Sequence, residues 1–301
     1  MGAIVVGTDR SAVAEQALDV ALHEAQLTGD PVRVVHAWTT PVWIGDVPGL
    51  GYNPLASPED SGRLAQELAE EELAKALSRR PAVAQVRATA VGREGRPGVV
   101  LTTESAAADL VVVGRHGHGV VSRVLLGSTT SYLLHHARCP VMVVPETVGP
   151  VDAVGTVVAG VDGSAGGRAA LRWAAAEARR RSWPLVALHS WLLTSLPGRA
   201  PMQYVPDLAE YETEAREWLE KELATVLPDR TGLDLRVELS HGSAAWGLLD
   251  HTGPEDLLVL GSRGRGGFTG LLLGSVAAQC TEHASGSVVV VRSEQAATAG
   301  A

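Results

Sequence analysis

Unbroken apolar runs of four residues recur along this chain, at 3–6, 110–113, 141–144, 257–260 and 288–291. Runs this short, each closed by glycine, proline or arginine, predict strands buried on both faces. Between them the apolar positions follow the helical period. An alanine-rich helix opens at Ser11, a good N-cap, and runs to about Leu27, where Gly29-Asp30-Pro31 breaks it. A second strand is expected over 32–37, then a Pro- and Gly-rich loop from Thr39 to about Pro58. A long amphipathic helix follows to about Arg79, with Leu64, Leu68 and Leu77 among its apolar positions. A third strand is expected over 83–91, a short helix from Pro97, and a last helix ending near His136.

The same order then returns. Asp9 and Asp162, Pro31 and Pro184, His36 and His189, and Trp38 and Trp191 all stand 153 residues apart. Further on the spacing is 147, pairing Gly95 with Gly242, Leu101 with Leu248 and Asp109 with Asp256. A net deletion of six residues therefore lies between the second and third strands of the second copy. The expected domains are residues 1–146 and 154–293, joined by a linker over 145–155 and followed by a frayed tail from Ser293. Strands alternating with helices place each copy in the α/β class, with a parallel sheet covered on both faces. Ligands of such sheets bind outside the carboxyl ends of the strands.

Composition fits folded domains: 46% hydrophobic and 20% charged residues over 301 positions. The net charge of −9 argues against a nucleic-acid surface or a polybasic membrane contact. Cys139 and Cys280 occupy non-equivalent places in the two copies, so buried free thiols are expected rather than a disulfide framework. There is no apolar stretch of transmembrane length and no basic signal-peptide start, so a cytoplasmic setting is expected.

The candidate chemistry lies in glycines. Gly114, Gly117, Gly127 and Ser128 are spaced as Gly-x2-Gly-x9-Gly-Ser, and Gly261, Gly264, Gly274 and Ser275 repeat the spacing. Each set leaves a strand and leads into a helix. Glycine turns aim backbone N–H groups into one concavity, and a helix N-terminus adds more, which together suit phosphate. Glycines that only permit tight turns would explain one copy; two identically spaced copies favour phosphate. Asp9, Ala37 and Gly114 end their strands on the same side, as do Asp162, Ser190 and Gly261. A Rossmann fingerprint would sit in the first β-α turn, and a P-loop needs Gly-Lys-Ser/Thr; neither is present. No metal site is expected, because His116-x-His118 lacks completing ligands. His135 and His136 read as structural, His36 and His189 as core or pocket lining. Trp38, Trp173, Trp191 and Trp246 read as packing residues, and Glu70-Glu71-Glu72 as a solvated helix face.

On these residues each copy resembles a universal stress protein domain of the ATP-binding type. The first strands end in Gly-Thr-Asp-Arg-Ser and Gly-Val-Asp-Gly-Ser, and Cys139-Pro140-Val141-Met142-Val143-Val144 resembles the family's closing motif. The resemblance implies two tandem doubly wound five-stranded sheets of strand order 3-2-1-4-5. It also implies a pseudo-two-fold relation, with 141–144 pairing 288–291 within one chain. It implies two ATP per chain with Mg2+; little or no turnover is expected, because no residue is clearly placed to orient an attacking water. Asp9 and Asp162 would face ribose and adenine, with Gly7, Thr8, Gly160 and Val161 beside them and Ala37 and Ser190 meeting adenine through backbone. Val113, Gly114, His116, Gly117, Gly127, Ser128, Thr129 and Thr130 would complete the first site. Leu260, Gly261, Arg263, Gly264, Gly274, Ser275, Val276 and Ala277 would complete the second. A regulatory protein partner and a homodimer of tandem chains are the implied assemblies. Arg10 replaces the usual glycine, Arg115-His116 and His118 replace Ser262-Arg263 and Arg265, and Ser287 replaces a proline. The alternative is a hydrolase or transferase of the adenine-nucleotide α-hydrolase type. Its Ser-Gly-Gly-x-Asp-Ser loop after the first strand is absent.

Overall fold

The computed structural model describes residues 2–39, 58–117, 126–191, 208–265 and 273–292. Nearly all of the loop expected after Trp38, together with His118, Arg123 and the tail from Ser293, lies outside them.

In the first unit, Met1–Glu146, the elements are β1 (Ile4–Gly7), α1 (Ala12–Thr28), β2 (Val32–Trp38), α2 (Pro58–Arg79), β3 (Ala88–Glu94), α3 (Pro97–Glu104), β4 (Leu110–Gly114), α4 (Ser128–His136) and β5 (Val141–Val144). The strands are parallel in the order β3-β2-β1-β4-β5. Ile4 lies opposite Val32 on one side and Leu110 on the other. The apolar runs therefore occupy the middle of the sheet, where Val6, Val111 and Val112 are fully shielded.

The second unit, Thr147–Ala301, contains β6 (Val157–Gly160), α5 (Ala165–Arg181), β7 (Leu185–Trp191), α6 (Leu208–Val226), β8 (Leu235–His241), α7 (Ala244–Asp250), β9 (Leu257–Gly261), α8 (Ser275–His283) and β10 (Ser287–Val291). Its strands are again parallel, in the order β8-β7-β6-β9-β10. Each unit is thus a doubly wound five-stranded α/β sheet, as the alternating pattern predicts. Among the described residues no helix is long and apolar enough to cross a membrane. Cys139 and Cys280 are buried free thiols, and burial pushes both up to about 12.

Several expectations are corrected. The third strand covers Ala88–Glu94 rather than 83–91, because Pro81 opens a short 3-10 turn that buries Val83. The buried face of α2 is Ala65, Ala69, Leu73 and Ala76, while Leu64 is 52% exposed. Small residues win because the helix backbone lies directly on β3: a Cβ on Gly92 would stand 2.8 Å from the Gln66 nitrogen. Gln66 also accepts from the Gly92 N–H (2.8 Å) and donates to the Ala90 carbonyl (2.8 Å), satisfying the free edge of β3. The acidic run on α2 is not uniformly solvated. Glu72 is buried, 3.6 Å from Arg10 Nε and 3.4 Å from Lys75 Nζ. Trp246, expected to pack, is 59% exposed.

The six-residue difference between the copies divides in two. Helix starts Pro58 and Leu208 stand 150 apart, as do the buried pairs Glu72/Glu222 and Leu73/Leu223. Three residues are therefore lost before the helix and three after it, where the first unit has its 3-10 turn.

Arg10 and Gly163 both take the left-handed conformation, at φ 66° and 70°. A Cβ on Gly163 would also run into Arg265 Nη2 and lie 2.9 Å from Trp218 Cζ2. Gly232 has a similar φ of 74° with no atom within 4 Å of its missing Cβ. Gly163→Ala should therefore cost about 1–2 kcal/mol and Gly232→Ala about 1 kcal/mol. Denaturant titration of both variants gives the comparison; equal losses would mean that Arg265 and Trp218 yield freely.

Candidate functional site

The two β-α turns that follow β1 and β6 are built alike. Ser11 Oγ accepts from the Ala14 N–H at 3.2 Å, and Ser164 Oγ accepts from the Gly167 N–H at 3.0 Å. These serines cap α1 and α5. Asp9 Oδ1 accepts from the Ser11 N–H (3.0 Å), and Asp162 Oδ1 accepts from the Ser164 N–H (2.9 Å) and Oγ (2.7 Å). Asp162 Oδ2 accepts from the Arg265 N–H at 3.0 Å, so one carboxylate fastens the turn to the glycine stretch.

The helices after the glycine stretches are different. Gly127 and Gly274 are the N-caps of α4 and α8, and neither offers a side-chain acceptor. The first intrahelical bonds run from Ser131 N–H to the Gly127 carbonyl (2.8 Å) and from Ala278 N–H to the Gly274 carbonyl (3.0 Å). The amides of Ser128, Thr129 and Thr130, and of Ser275, Val276 and Ala277, precede these bonds and have no intrahelical acceptor. A partial positive charge gathers there.

In the second unit these amides open into a cleft of about 350 Å³. Its lining brings together Gly160, Val161, Asp162 and Ser190 with Leu260, Gly261, Arg263 and Gly264. Gly274, Ser275, Val276 and Ala277 close the opposite wall. Every residue expected for the second site therefore lies on one cavity. Four further lining residues escaped sequence reasoning as site residues: Gly167, Leu188, Ala244 and Leu248; His189, expected as core or pocket lining, and Arg265 also line the cleft. A signal for the first was the Gly166-Gly167 pair opening an alanine-rich helix, where glycine costs stability unless another backbone approaches. Arg263 and Arg265 are exposed, and among the described residues neither guanidinium has a carboxylate within 4 Å. Arg265 lies over the Trp218 ring at 5.1 Å, and Trp218 in turn packs against His189 at 4.4 Å.

In the first unit the glycine stretch is tied to the neighbouring strand and helix ends by local contacts. Gly127 donates to the Arg115 carbonyl (2.9 Å), and Thr130 Oγ1 donates to the Gly114 carbonyl (2.8 Å). A Cβ on Gly117 would strike Asp9 Oδ2, and one on Gly7 would lie 2.7 Å from Leu101 and 3.4 Å from Val113. Thr8 and His116 are buried beside them, Ala37 follows His36 on β2, and Ser128 and Thr129 open α4. The cations differ from those of the second unit. Arg10 is paired with Glu71 (3.3 Å) and Glu72, and Arg115 is buried. Among the described residues no group of three metal-ligating side chains is assembled.

His36 Nδ1 donates to the Thr8 carbonyl (3.1 Å), and His189 Nδ1 donates to the Val161 carbonyl (2.8 Å). Each imidazole ties the end of one strand to its neighbour. His135 Nδ1 donates to the Ser131 carbonyl (2.6 Å) and His136 Nδ1 to the Tyr132 carbonyl (2.8 Å), each within its own helix. Burial holds His36 and His189 below the ordinary 6.5, outweighing the raising effect of those carbonyls. The unfolded chain therefore takes up protons first as pH falls through about 6.5, so the contribution of both groups is complete above that pH and is lost below it. The melting temperature should fall between pH 7 and pH 5.5, and His36→Gln with His189→Gln should flatten the fall. An unchanged slope in the double variant would remove the histidines as its source.

The sequence profile of the universal stress protein family matches residues 1–145 and again 154–292. A universal stress protein of Mycolicibacterium smegmatis is 34% identical over 294 residues, covering 96% of each chain. One of Mycobacterium tuberculosis is 33% identical over 296 residues, again covering 96% of each. The crystal structure of a universal stress protein from Archaeoglobus fulgidus shares the fold with a TM-score of 0.64 at 19% identity, covering 97% of this chain and 98% of that one. This chain belongs to the universal stress protein family, with two family domains in tandem.

Proposed function

We propose that this chain is an ATP-binding regulatory protein of the stress response, taking one ATP in each unit and turning it over slowly or not at all. The observation that carries the reading is the uncapped start of α8, which opens into the cleft beside Arg263 and Arg265. Serine caps are present at α1 and α5 and missing at α4 and α8. That contrast suits a ligand whose oxygens take the free amides, as phosphates do. The apolar half of the cleft, with Val161, Leu188, Leu248 and Leu260, suits a flat base.

Hydrolysis needs a group that orients water and stabilisation that grows in the transition state. Among the described residues the one carboxylate lining the cleft is Asp162, and both its oxygens are engaged by Ser164 and Arg265. Mg2+ would arrive with the nucleotide, held by phosphate oxygens and water. The working partners are then the nucleotide and a protein that reads the loaded state. The buried thiols Cys139 and Cys280 accord with a reducing, cytoplasmic setting.

Mass spectrometry of ligands released from the purified protein, followed by calorimetry, tests the reading. Adenine nucleotide in the released fraction and two ATP per chain are expected. Failure to bind ATP overturns the proposal, and one ATP per chain overturns the stoichiometry. Steady-state hydrolysis of roughly 1 per second or faster, the ordinary enzyme range, would favour the hydrolase.

A further inference from the structure

Resting on the nucleotide reading of the second unit's cleft, we propose that the Ser190 hydroxyl recognises the amino-bearing edge of the base. The first unit, with Ala37 at the equivalent position, lacks this recognition. Ser190 stands at the carboxyl end of β7 and lines the cleft. Its Oγ is shielded from water and has no hydrogen-bond partner among the described residues. Shielded hydroxyls without partners are uncommon in native chains and call for a ligand, an ordered water or a strain argument. Ser190 lies in regular strand backbone, paired with Ser240 in the register of β7 and β8, so strain does not account for it.

The surroundings are arranged for a polar group. A Cβ on Gly247 would lie 3.0 Å from Ser190 Oγ and would collide with Ser240 Oγ. Glycine there leaves both hydroxyls room to turn. The corresponding residues of the first unit, 147 positions earlier, are Arg93 and Val100. In the first unit a methyl group, a branched aliphatic side chain and an arginine thus replace two hydroxyls and an open space. The two units share their glycine stretches and differ where a base would sit.

A hydroxyl has one donor and two acceptor positions. Adenine offers an N–H donor on its amino group with a ring-nitrogen acceptor on either side. One staggered rotation about the serine side-chain torsion moves Oγ along the cleft wall, and the hydroxyl then accepts from the amino group. The consequence is a division of labour: the second unit discriminates among purine nucleotides, and the first binds them with less regard to the amino group.

The test is calorimetry on the full-length chain and Ser190→Ala, each titrated with ATP and with purine riboside triphosphate, which lacks the 6-amino group. In the wild-type chain one site should prefer ATP by about three- to tenfold, the size of a single hydrogen bond. In Ser190→Ala that preference should disappear, with the other site unchanged and the melting temperature kept. Loss of the same factor for both nucleotides, or an unaltered preference, overturns the role given to Ser190. A wild-type chain that binds neither nucleotide overturns the nucleotide reading instead, so the two failures are distinguishable.

Discussion

Gly261→Ala should destabilise the second unit sharply, whether or not a ligand is bound. Gly261 ends β9, where α5 passes directly over it. A Cβ there would lie 2.5 Å from the Gly166 carbonyl carbon, 2.7 Å from the Gly167 nitrogen and 2.9 Å from the Gly166 oxygen. All three are backbone atoms, so no side-chain rotation relieves the overlap. Either the helix lifts from the sheet or β9 leaves its register with β6. Overpacking in a rigid core costs about 1–3 kcal/mol, and backbone-on-backbone contact belongs at or above the upper end. In the first unit a Cβ on Gly114 would meet Val13 Cγ1 at 2.7 Å, the end of a side chain, with the nearest backbone atom, the His116 oxygen, at 3.2 Å. Gly114→Ala should therefore cost less. Denaturant unfolding of both variants gives the order; a milder effect for Gly261→Ala would mean that α5 moves away from β9 easily.

The second large effect is on binding. Gly264→Ala and Gly117→Ala should each remove about one ATP site while the chain stays folded. The expected reason was close approach of backbone to phosphate; the structure adds another. A Cβ on Gly264 would sit 2.6 Å from Asp162 Oδ2, and one on Gly117 would strike Asp9 Oδ2. The carboxylate can swing aside, but then Asp162 loses the Arg265 N–H that it holds at 3.0 Å. A hydrogen bond to a charged group is worth about 1.5–3 kcal/mol, or roughly ten- to hundredfold in Kd. Asp162→Ala should weaken the same site by at least as much, since it releases both the turn and the glycine stretch. Calorimetry at matched concentrations should show two sites falling to one. Two undiminished sites in Gly264→Ala would show that the Asp162 fastening does not govern binding.

Much of the architecture was determined by the sequence alone, and the reason is local. A four-residue apolar run between glycine or proline and a helix-period segment has few places to go but the middle of a parallel sheet. β4 and β9 therefore fell where the runs are. The serine cap of α1 was legible for the same reason, because capping is settled within three residues, and Ser164 repeats it at α5. The repeat reinforced each reading twice. The twelve residues expected around the second glycine set are also the ones that line a common cleft, since chain ends of parallel strands must converge on one side of the sheet.

Tertiary structure decided what depends on partners distant in sequence. Leu64 is exposed and Ala65 buried because α2 must approach Gly92 closely, a demand that comes from β3 and not from the helix. Glu72 is buried because Arg10, 62 positions earlier, turns back to it from a left-handed backbone. Arg265 lies over Trp218 because Gly163 leaves the space, whereas in the first unit Arg10 stands at that turn. Periodicity reports which face of an element can be buried. Which of two permissible faces goes inward, and which cation stays unpaired at a cleft, is settled only when the facing element is in place.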